Sequence, residues 1–314
     1  MTIHHDTFAG AYPAMTTPFT DSDDVDHEQL AADARRLEAA GTDGLVPVGS
    51  TGESATLTHD EHAEVVETVV DAVDVPVVAG TGSNSTREAL HLSERAAEAG
   101  ADALLLISPY YNKPEPRGQY EHFAAVADAV DLPQVVYNVP SRTGQSLDLD
   151  TVVDLASHPN VRGYKAASGD LNRISEIVER TRGEAFDVLS GDDGMTLPIL
   201  SVGGTGTISV AANVEPERVG SMVRAALDGE SDRARELHHE LSPLCRALFR
   251  ETNPIPVKEA MDVRGYGPAD LRPPLTRATD ETREVLAELL ADLEAADGGE
   301  RVRGDDAEAE VAER

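Results

Sequence analysis

Lysine is rare in this chain, and what each lysine can do depends on where it lies. The 314 residues contain 23 arginines but three lysines. Lys113 precedes a proline in a loop position expected to be solvated, and Lys258 lies near a helix start. Lys165 lies near the end of a predicted strand, where burial would favour a neutral amine that can attack a ketone and form a Schiff base. The alternative is a structural lysine paired with Asp170 or Asp192.

Hydroxyl groups and one guanidinium follow other predicted strands. Tyr137 ends the strand before that of Lys165, and its hydroxyl could move the protons that imine formation requires, although tyrosines there also serve only to pack. Ser50 and Thr51, in a glycine-bounded turn, offer hydroxyls and backbone N–H groups suited to a small carboxylate. Arg142 could clamp a carboxylate in a bidentate manner. The alternative for Ser50 and Thr51 is an ordinary tight turn. The alternative for Arg142 is a surface salt bridge.

The elements that would position these residues alternate along the chain. Eight short apolar runs predict strands at 11–15, 44–49, 75–80, 103–109, 134–139, 161–166, 186–190 and 205–211. Stretches with helical spacing lie between them, including 26–40, 60–73, 87–99, 119–129 and 216–226. Strands of this kind alternating with amphipathic helices indicate a parallel sheet, and eight units match a (β/α)₈ TIM barrel. In such a barrel reactive side chains gather at the carboxyl ends of the strands.

The chain divides into three regions by composition and pattern. Residues 1–229 carry the barrel pattern, and residues 230–296 predict a small C-terminal helical region with helices at 231–249, 256–263 and 279–296. The remaining stretch, 297–314, is charged and short of large apolar residues, which predicts a disordered solvating tail.

The charge of the chain excludes some classes of function. The formal net charge of −32 repels nucleic acid and anionic membranes. With a single cysteine, no long apolar run and no signal segment, the chain is expected to be soluble and cytoplasmic. Dispersed acid with few lysines and no tryptophan resembles proteins of salt-loving archaea. An acidic interaction surface is the alternative.

Seven segments together resemble one enzyme family, the pyruvate-dependent class I aldolases of the dihydrodipicolinate synthase and N-acetylneuraminate lyase family. The likeness runs from about residue 10 to residue 290. It rests on GSTGESATL (49–57), SPYYNKP (108–114), LPQVVYNVPSRTG (132–144), GYKAASGDL (163–171), LSGDD (189–193), GTISVAANV (206–214) and NPIPVK (253–258).

The resemblance implies a role for each matched residue. Lys165 would form the Schiff base with pyruvate, and Tyr137, Ser50 and Tyr111 would form a proton relay, with Tyr111 reaching the site of a neighbouring subunit. Ser50 and Thr51 would bind the pyruvate carboxylate. Arg142 would receive the carboxylate of the incoming aldehyde, and the carbonyls of Gly191 and Ile208 would line the pocket.

The resemblance also implies a reaction. The pyruvate enamine would attack L-aspartate 4-semialdehyde and yield 4-hydroxy-tetrahydrodipicolinate, in diaminopimelate and lysine biosynthesis. No metal or other cofactor would be needed, because the protonated imine serves as the electron sink. The assembly would be a homotetramer, built as a dimer of dimers.

Two departures from the pattern of the family's synthases keep other functions open. Ser50 stands where synthases of the family usually have threonine, and Ala166 stands where glutamate is common. The loop at 137–144 has the synthase form, and Arg142 suits a short carboxylated aldehyde better than a sugar. The alternatives are retro-aldol cleavage of 2-keto-3-deoxy sugar acids or N-acetylneuraminate, and a non-catalytic scaffold that binds pyruvate or lysine.

A second set of residues matches the positions at which feedback-inhibited synthases bind L-lysine. An anionic glutamate beside polar acceptors suits an amine. Two of the histidines could instead be half of a metal site, but the sequence offers no third ligand nearby. The set comprises Ser54, Ala55, His59, His62, Asn84, Glu88 and Tyr110.

Overall fold

Seven parallel strands form the centre of the molecule in a computed structural model. The model describes residues 7–296, together with the course of the last helix to Ala312. The strands pair in the order β1-β7-β6-β5-β4-β3-β2, all parallel. Their bounds are β1 Gly10–Pro13, β2 Val78–Gly80, β3 Ala103–Ile107, β4 Gln134–Asn138, β5 Val161–Ala166, β6 Asp187–Ser190 and β7 Gly206–Ser209.

The predicted strand at 44–49 is not a regular strand, but the extended segment 43–47 occupies its place in the ring, between β1 and β2. Val46 forms a parallel bridge with Ala14 beyond β1, and Leu45 forms one with Val77 before β2. The Leu45 N–H donates to the Pro76 carbonyl at 2.9 Å, and the Val46 N–H donates to the Pro13 carbonyl at 2.9 Å. Extended geometry is lost at Val48, where φ is +49°. The two open edges of the sheet are therefore joined, and the predicted barrel is confirmed.

Five of the nine helices around the barrel begin after a residue whose side chain caps them. The Thr58 side chain and Glu61 form the reciprocal capping box that their spacing predicts.

In the described part of the chain no helix has the length and apolar character needed to cross a membrane. The helices are α1 His27–Ala39, α2 His59–Ala72, α3 Thr86–Glu98, α4 Pro116–Ala129, α5 Pro140–Thr143, α6 Leu149–Ala156, α7 Leu171–Arg180, α8 Thr196–Ser201 and α9 Pro216–Leu227.

Five of the seven strands contribute to two apolar clusters. On β3, Leu104 and Leu106 pack in the cluster shared with the helices, whereas Leu105 packs in the cluster inside the barrel. The inner cluster also contains Tyr137 and Ile208. Burial on both faces explains why the strands are almost continuously apolar rather than alternating. The interior is packed, so the space for a ligand lies at the barrel mouth.

Three further helices follow the barrel: α10 Ser231–Ala247, α11 Ile255–Val263 and α12 Asp280–Ala312. They share an apolar cluster with α9. Gly229, with φ of +82°, forms the turn between α9 and α10, at the predicted end of the barrel region. The predicted tail at 297–314 lies outside the fully described residues and stays a prediction.

A buried ion pair fastens α11 to the loop that follows the 43–47 segment. Lys258 Nζ lies 2.5 Å from Glu53 Oε1, and the two side chains are 2% and 0% exposed. Lys258 also donates to the Asp270 carbonyl at 2.7 Å and lies 4.4 Å from the centre of the Phe19 ring. Burial lowers the pKa of Lys258, and the Glu53 carboxylate opposes that shift. The pair holds the C-terminal helices against the barrel mouth.

Removal of one partner should therefore destabilise the fold. Lys258→Met leaves the buried Glu53 carboxylate without its ion-pair partner, and we expect a loss of about 3–5 kcal/mol in the free energy of unfolding. The measurement is the urea midpoint in molar KCl. Arg117→Met, which removes an exposed pair with Glu121, is the control and should leave the midpoint unchanged. Equal midpoints for both variants would refute the role of the pair.

Candidate active site

Strand register brings Lys165 and Tyr137 together. The two residues are paired neighbours on β5 and β4, so their side chains project to the same side of the sheet. Lys165 Nζ lies 4.1 Å from the centre of the Tyr137 ring. The residues are 6% and 7% exposed. The amine and the phenol therefore share one largely dry environment at the barrel mouth.

The surroundings of Lys165 favour its neutral form. Burial lowers the pKa of Lys165 to about 7, with the Asp193 carboxylate raising it and Arg142 lowering it further. Near neutral pH a substantial fraction of the amine is unprotonated and able to attack a carbonyl carbon. Lys165 thus has the protonation state that imine formation requires.

The alternative, a lysine paired with Asp170 or Asp192, is wrong. Asp170 caps α7 by accepting from the Arg173 N–H at 3.1 Å. Asp192 accepts from the Gly194 N–H at 3.0 Å in a short turn. Among the described residues neither carboxylate forms an ion pair with Lys165.

Tyr137 is set up as a proton donor. Burial raises the pKa of its phenol to about 12, while nearby Arg142 lowers it and Asp192 raises it. The hydroxyl is therefore protonated at neutral pH. It can give a proton to an oxygen that leaves, and recover it afterwards.

Gly191 provides the space that the Lys165 side chain occupies. A Cβ at position 191 would lie 2.8 Å from Lys165 Cε and 2.9 Å from its Cγ, closer than carbon atoms approach. The Gly191 N–H donates to the Ala166 carbonyl at 2.8 Å, which fixes this stretch beside β5. Ile208, on β7, packs inside the barrel with Tyr137.

Asp193 belongs to the site, although the sequence did not single it out. Its carboxylate is buried and accepts from Ser209 Oγ at 2.5 Å, the Val210 N–H at 3.0 Å and the Ala211 N–H at 2.9 Å. These bonds hold the end of β7, where Ile208 lies. The LSGDD segment contained the signal, but residue type alone does not show which of its two aspartates is buried.

A cavity of about 440 Å³ opens beside Tyr137. It brings together members of both predicted sets. The lining includes Ser50, Tyr137 and Arg142 from the first set, and Ser54, Ala55, His59, His62, Glu88 and Tyr110 from the second. Lys165, Thr51, Gly191 and Ile208 are not among the lining residues, and neither are Tyr111 and Asn84.

Asn253 joins two of the predicted residues and was also missed. Arg142 Nη2 donates to the Asn253 carbonyl at 2.7 Å. The Asn253 Nδ2 group donates to Thr51 Oγ1 at 2.9 Å. Asn253 lines the cavity and is the first residue of the NPIPVK segment. Nothing in the sequence indicates that it contacts Arg142 and Thr51, which lie 111 and 202 positions earlier in the chain.

Tyr111 does not line the cavity of its own chain. Its side chain is 88% exposed, and its backbone has a φ of +67°. The neighbouring Tyr110 lines the cavity instead. A relay through Tyr111 therefore needs a second copy of the chain and stays a prediction.

The second predicted set surrounds a carboxylate that already has partners. Glu88 accepts from Ser83 Oγ, and His59 Nε2 lies 3.0 Å from Glu88 Oε1. His62 Nε2 lies 2.8 Å from the Gly80 carbonyl. Asn84 contributes its carbonyl, which accepts from Asn112 Nδ2 at 2.6 Å. No group of three or more metal-ligating side chains occurs within the described residues.

Comparison with known proteins agrees with this geometry. The model of the dihydrodipicolinate synthetase family matches residues 7–293. The chain belongs to this family. Two curated relatives named 4-hydroxy-tetrahydrodipicolinate synthase come from haloarchaea. The one from Haloarcula marismortui is 69% identical over 92% of this chain and 95% of its own. The one from Natronomonas pharaonis is 66% identical over 92% of this chain and 99% of its own.

Solved structures of family members have the same fold. The chloride-inhibited dihydrodipicolinate synthase of Acinetobacter baumannii, complexed with pyruvate, is 40% identical with a TM-score of 0.89, covering 91% of this chain and 99% of that one. The synthase of Cyanidioschyzon merolae with lysine bound is 38% identical with a TM-score of 0.86, covering 90% of this chain and 97% of that one.

The low pKa of Lys165 predicts the pH dependence of its reactivity. With a small keto acid and cyanoborohydride, the rate of Lys165 modification should rise about tenfold per pH unit below pH 7 and level off above it, because the neutral amine is the nucleophile. Peptide mass spectrometry measures the modification. A midpoint near that of a free lysine would contradict the desolvated state.

Gly191→Ala should impair the same reaction without unfolding the chain. The added methyl group displaces Lys165, so we expect its modification rate at pH 8 to fall at least tenfold. Gly183→Ala is the matched control, because its Cβ would meet nothing within 4 Å. Equal rates in the two variants would contradict the close fit.

Proposed function

We propose that this chain is a 4-hydroxy-tetrahydrodipicolinate synthase, a lyase that condenses pyruvate with L-aspartate 4-semialdehyde. The observation that carries the proposal is the desolvated Lys165 amine against Tyr137, at a barrel mouth that also holds Arg142. Relatives with 69% and 66% identity over nearly the whole chain carry that name. The pyruvate complex of the Acinetobacter relative supports the first substrate.

Imine formation uses the groups at the end of β4 and β5. The neutral Lys165 amine attacks C2 of pyruvate, and the carbinolamine that forms loses its hydroxyl group as water. Tyr137 donates the proton that this hydroxyl needs, because its phenol is still protonated at neutral pH. Ser50 and Thr51 bind the pyruvate carboxylate. The Ser50 hydroxyl then passes a proton from Tyr111 of a second copy back to Tyr137.

Condensation follows from loss of a proton at C3 of the imine. The resulting enamine carbon attacks the aldehyde carbon of L-aspartate 4-semialdehyde, whose carboxylate is held by Arg142. The amino group of that substrate then attacks the imine carbon, closes the ring and releases Lys165. The whole reaction consumes one pyruvate and one aldehyde and yields the cyclic product and water. The protonated imine accepts the electron pair that C3 releases with its proton, and the enamine returns that pair to form the new carbon–carbon bond, so no metal or cofactor takes part.

We extend the proposal to a regulator and an assembly. L-lysine would bind in the outer part of the cavity, where Glu88 supplies a carboxylate for its ammonium group and Tyr110, His59 and Ser54 supply polar contacts. The lysine-bound Cyanidioschyzon relative supports this assignment. Exposed Tyr111 supports an oligomer in which one copy completes the site of another, and we propose a homotetramer.

The first test is condensation in molar KCl with pyruvate and L-aspartate 4-semialdehyde. We expect activity in the wild type, and a loss of at least a thousandfold in Lys165→Ala, because the other two lysines lie elsewhere: Lys258 is paired with Glu53 and Lys113 is exposed. A parallel assay in a chloride-free potassium salt guards against inhibition by chloride. Borohydride with pyruvate should add a pyruvyl group to Lys165.

The alternatives give other outcomes. Arg142→Ala should raise the KM for the semialdehyde about a hundredfold and leave pyruvate trapping intact. Turnover of sugar acids in preference to the semialdehyde would identify a retro-aldolase. Binding of pyruvate or lysine with no turnover, and with Lys165 unmodified after borohydride, would identify a scaffold and refute the synthase.

A further inference from the structure

The two carboxylate subsites of the proposed reaction meet at one residue outside the barrel. Thr51 lies in the loop after the 43–47 segment, and Arg142 lies in α5 after β4. Asn253 precedes α11, in the C-terminal region, and contacts both of them through different groups. Its side-chain amide bonds the Thr51 hydroxyl and its main-chain carbonyl bonds the Arg142 guanidinium. The residue is 6% exposed.

We propose that Asn253 is a positioning residue that holds the pyruvate subsite and the aldehyde subsite in a fixed relation. The inference rests on the proposed function, because it concerns how the two carboxylated substrates are oriented. Asn253 contacts neither reacting carbon and acts through Thr51 and Arg142.

The direction of the bond to Thr51 determines what that hydroxyl can do. A threonine hydroxyl has one proton to donate and lone pairs that accept. Because the Asn253 amide donates to Thr51 Oγ1, a lone pair is engaged and the hydroxyl proton is left for the pyruvate carboxylate. An acceptor at position 253 would instead draw that proton away from the substrate.

The bond from Arg142 has a corresponding effect. One Nη2–H is held by the Asn253 carbonyl, so the guanidinium plane is oriented while its other donors are left for a carboxylate. An oriented guanidinium loses less side-chain entropy on binding than a free one. Since both contacts come from one residue, movement of the 253 segment would shift both subsites together.

A second contact keeps that segment in place. The Lys258–Glu53 ion pair, five residues further along the chain, joins α11 to the same loop that carries Thr51.

The Asn253 side chain makes one hydrogen bond among the described residues, to Thr51, and its Oδ1 atom has no partner there. Truncation of this side chain therefore removes a single bond and leaves the Arg142 contact in place.

The test compares Asn253→Ala with Asn253→Asp in molar KCl. For Asn253→Ala we expect the KM for pyruvate to rise about tenfold, with kcat and the KM for the semialdehyde changed less than threefold. Asn253→Asp keeps the shape but accepts instead of donating, and it adds a negative charge beside two carboxylate subsites. It should raise both KM values more than Asn253→Ala does. The pyruvate concentration that gives half-maximal borohydride trapping should rise in step.

A double-mutant cycle separates positioning from a general structural effect. In a Thr51→Val background Asn253→Ala should have no further effect on the KM for pyruvate, because the bond is already lost. Asn160→Ala is the matched control: its amide also makes one bond, to the Ala127 carbonyl at 3.0 Å, at the opposite end of β5. It should lower the urea midpoint and leave both KM values unchanged.

Some outcomes would overturn the inference. An unchanged KM for pyruvate in Asn253→Ala would do so, and so would the same increase in the wild-type and Thr51→Val backgrounds. Failure of the proposed function itself is distinguishable, because the wild type would then neither trap pyruvate nor condense it, and the inference would fall with the function.

Discussion

The burial of one amine at the mouth of a closed barrel is the constraint on which the rest of the site depends. A lysine ammonium is stable only where water or a countercharge surrounds it, so the ring must close around Lys165 to lower its pKa. Closure requires an eighth position, which the irregular 43–47 segment supplies through bridges to both sheet edges. It also requires space for the side chain, which explains why residue 191 lacks a Cβ. The same burial keeps the Tyr137 phenol protonated.

The net charge of the chain opposes a substrate that the site is proposed to bind. With a formal charge of −32, the surface repels pyruvate, which carries a net negative charge. High salt screens that repulsion beyond a few ångströms and leaves short-range contacts in control. In the proposed reaction, capture then rests on local groups at the mouth, namely Arg142 and the hydroxyls of Ser50 and Thr51. Screening explains how an acidic surface and an anion-binding site can coexist in one protein.

Local patterns in the sequence predicted most of the fold and the centre of the site. Apolar runs and helical spacing identified seven strands and the helices between them, and strand ends brought Lys165 and Tyr137 together. The run at 44–49 predicts a regular strand, because the turn at Val48 leaves no trace in residue type. Asn253, and the pairing of Lys258 with Glu53, could not be predicted, because their partners lie about 200 residues away. Contacts between residues so far apart in sequence are set by the packing of the C-terminal helices.

The scarcity of lysine has a chemical consequence of its own. An enzyme that handles a keto acid and an aldehyde is exposed to covalent damage, because both compounds condense with any unprotonated amine they meet. Arginine stays protonated and does not compete in this way. Of the three lysines, Lys258 is buried in an ion pair, Lys165 is buried in the site and Lys113 is exposed. Nearly all the cationic side chains at the surface are therefore arginines, which do not react with carbonyl compounds in this way. The composition that suits the chain to brine thereby also protects it from adducts formed by its own substrates.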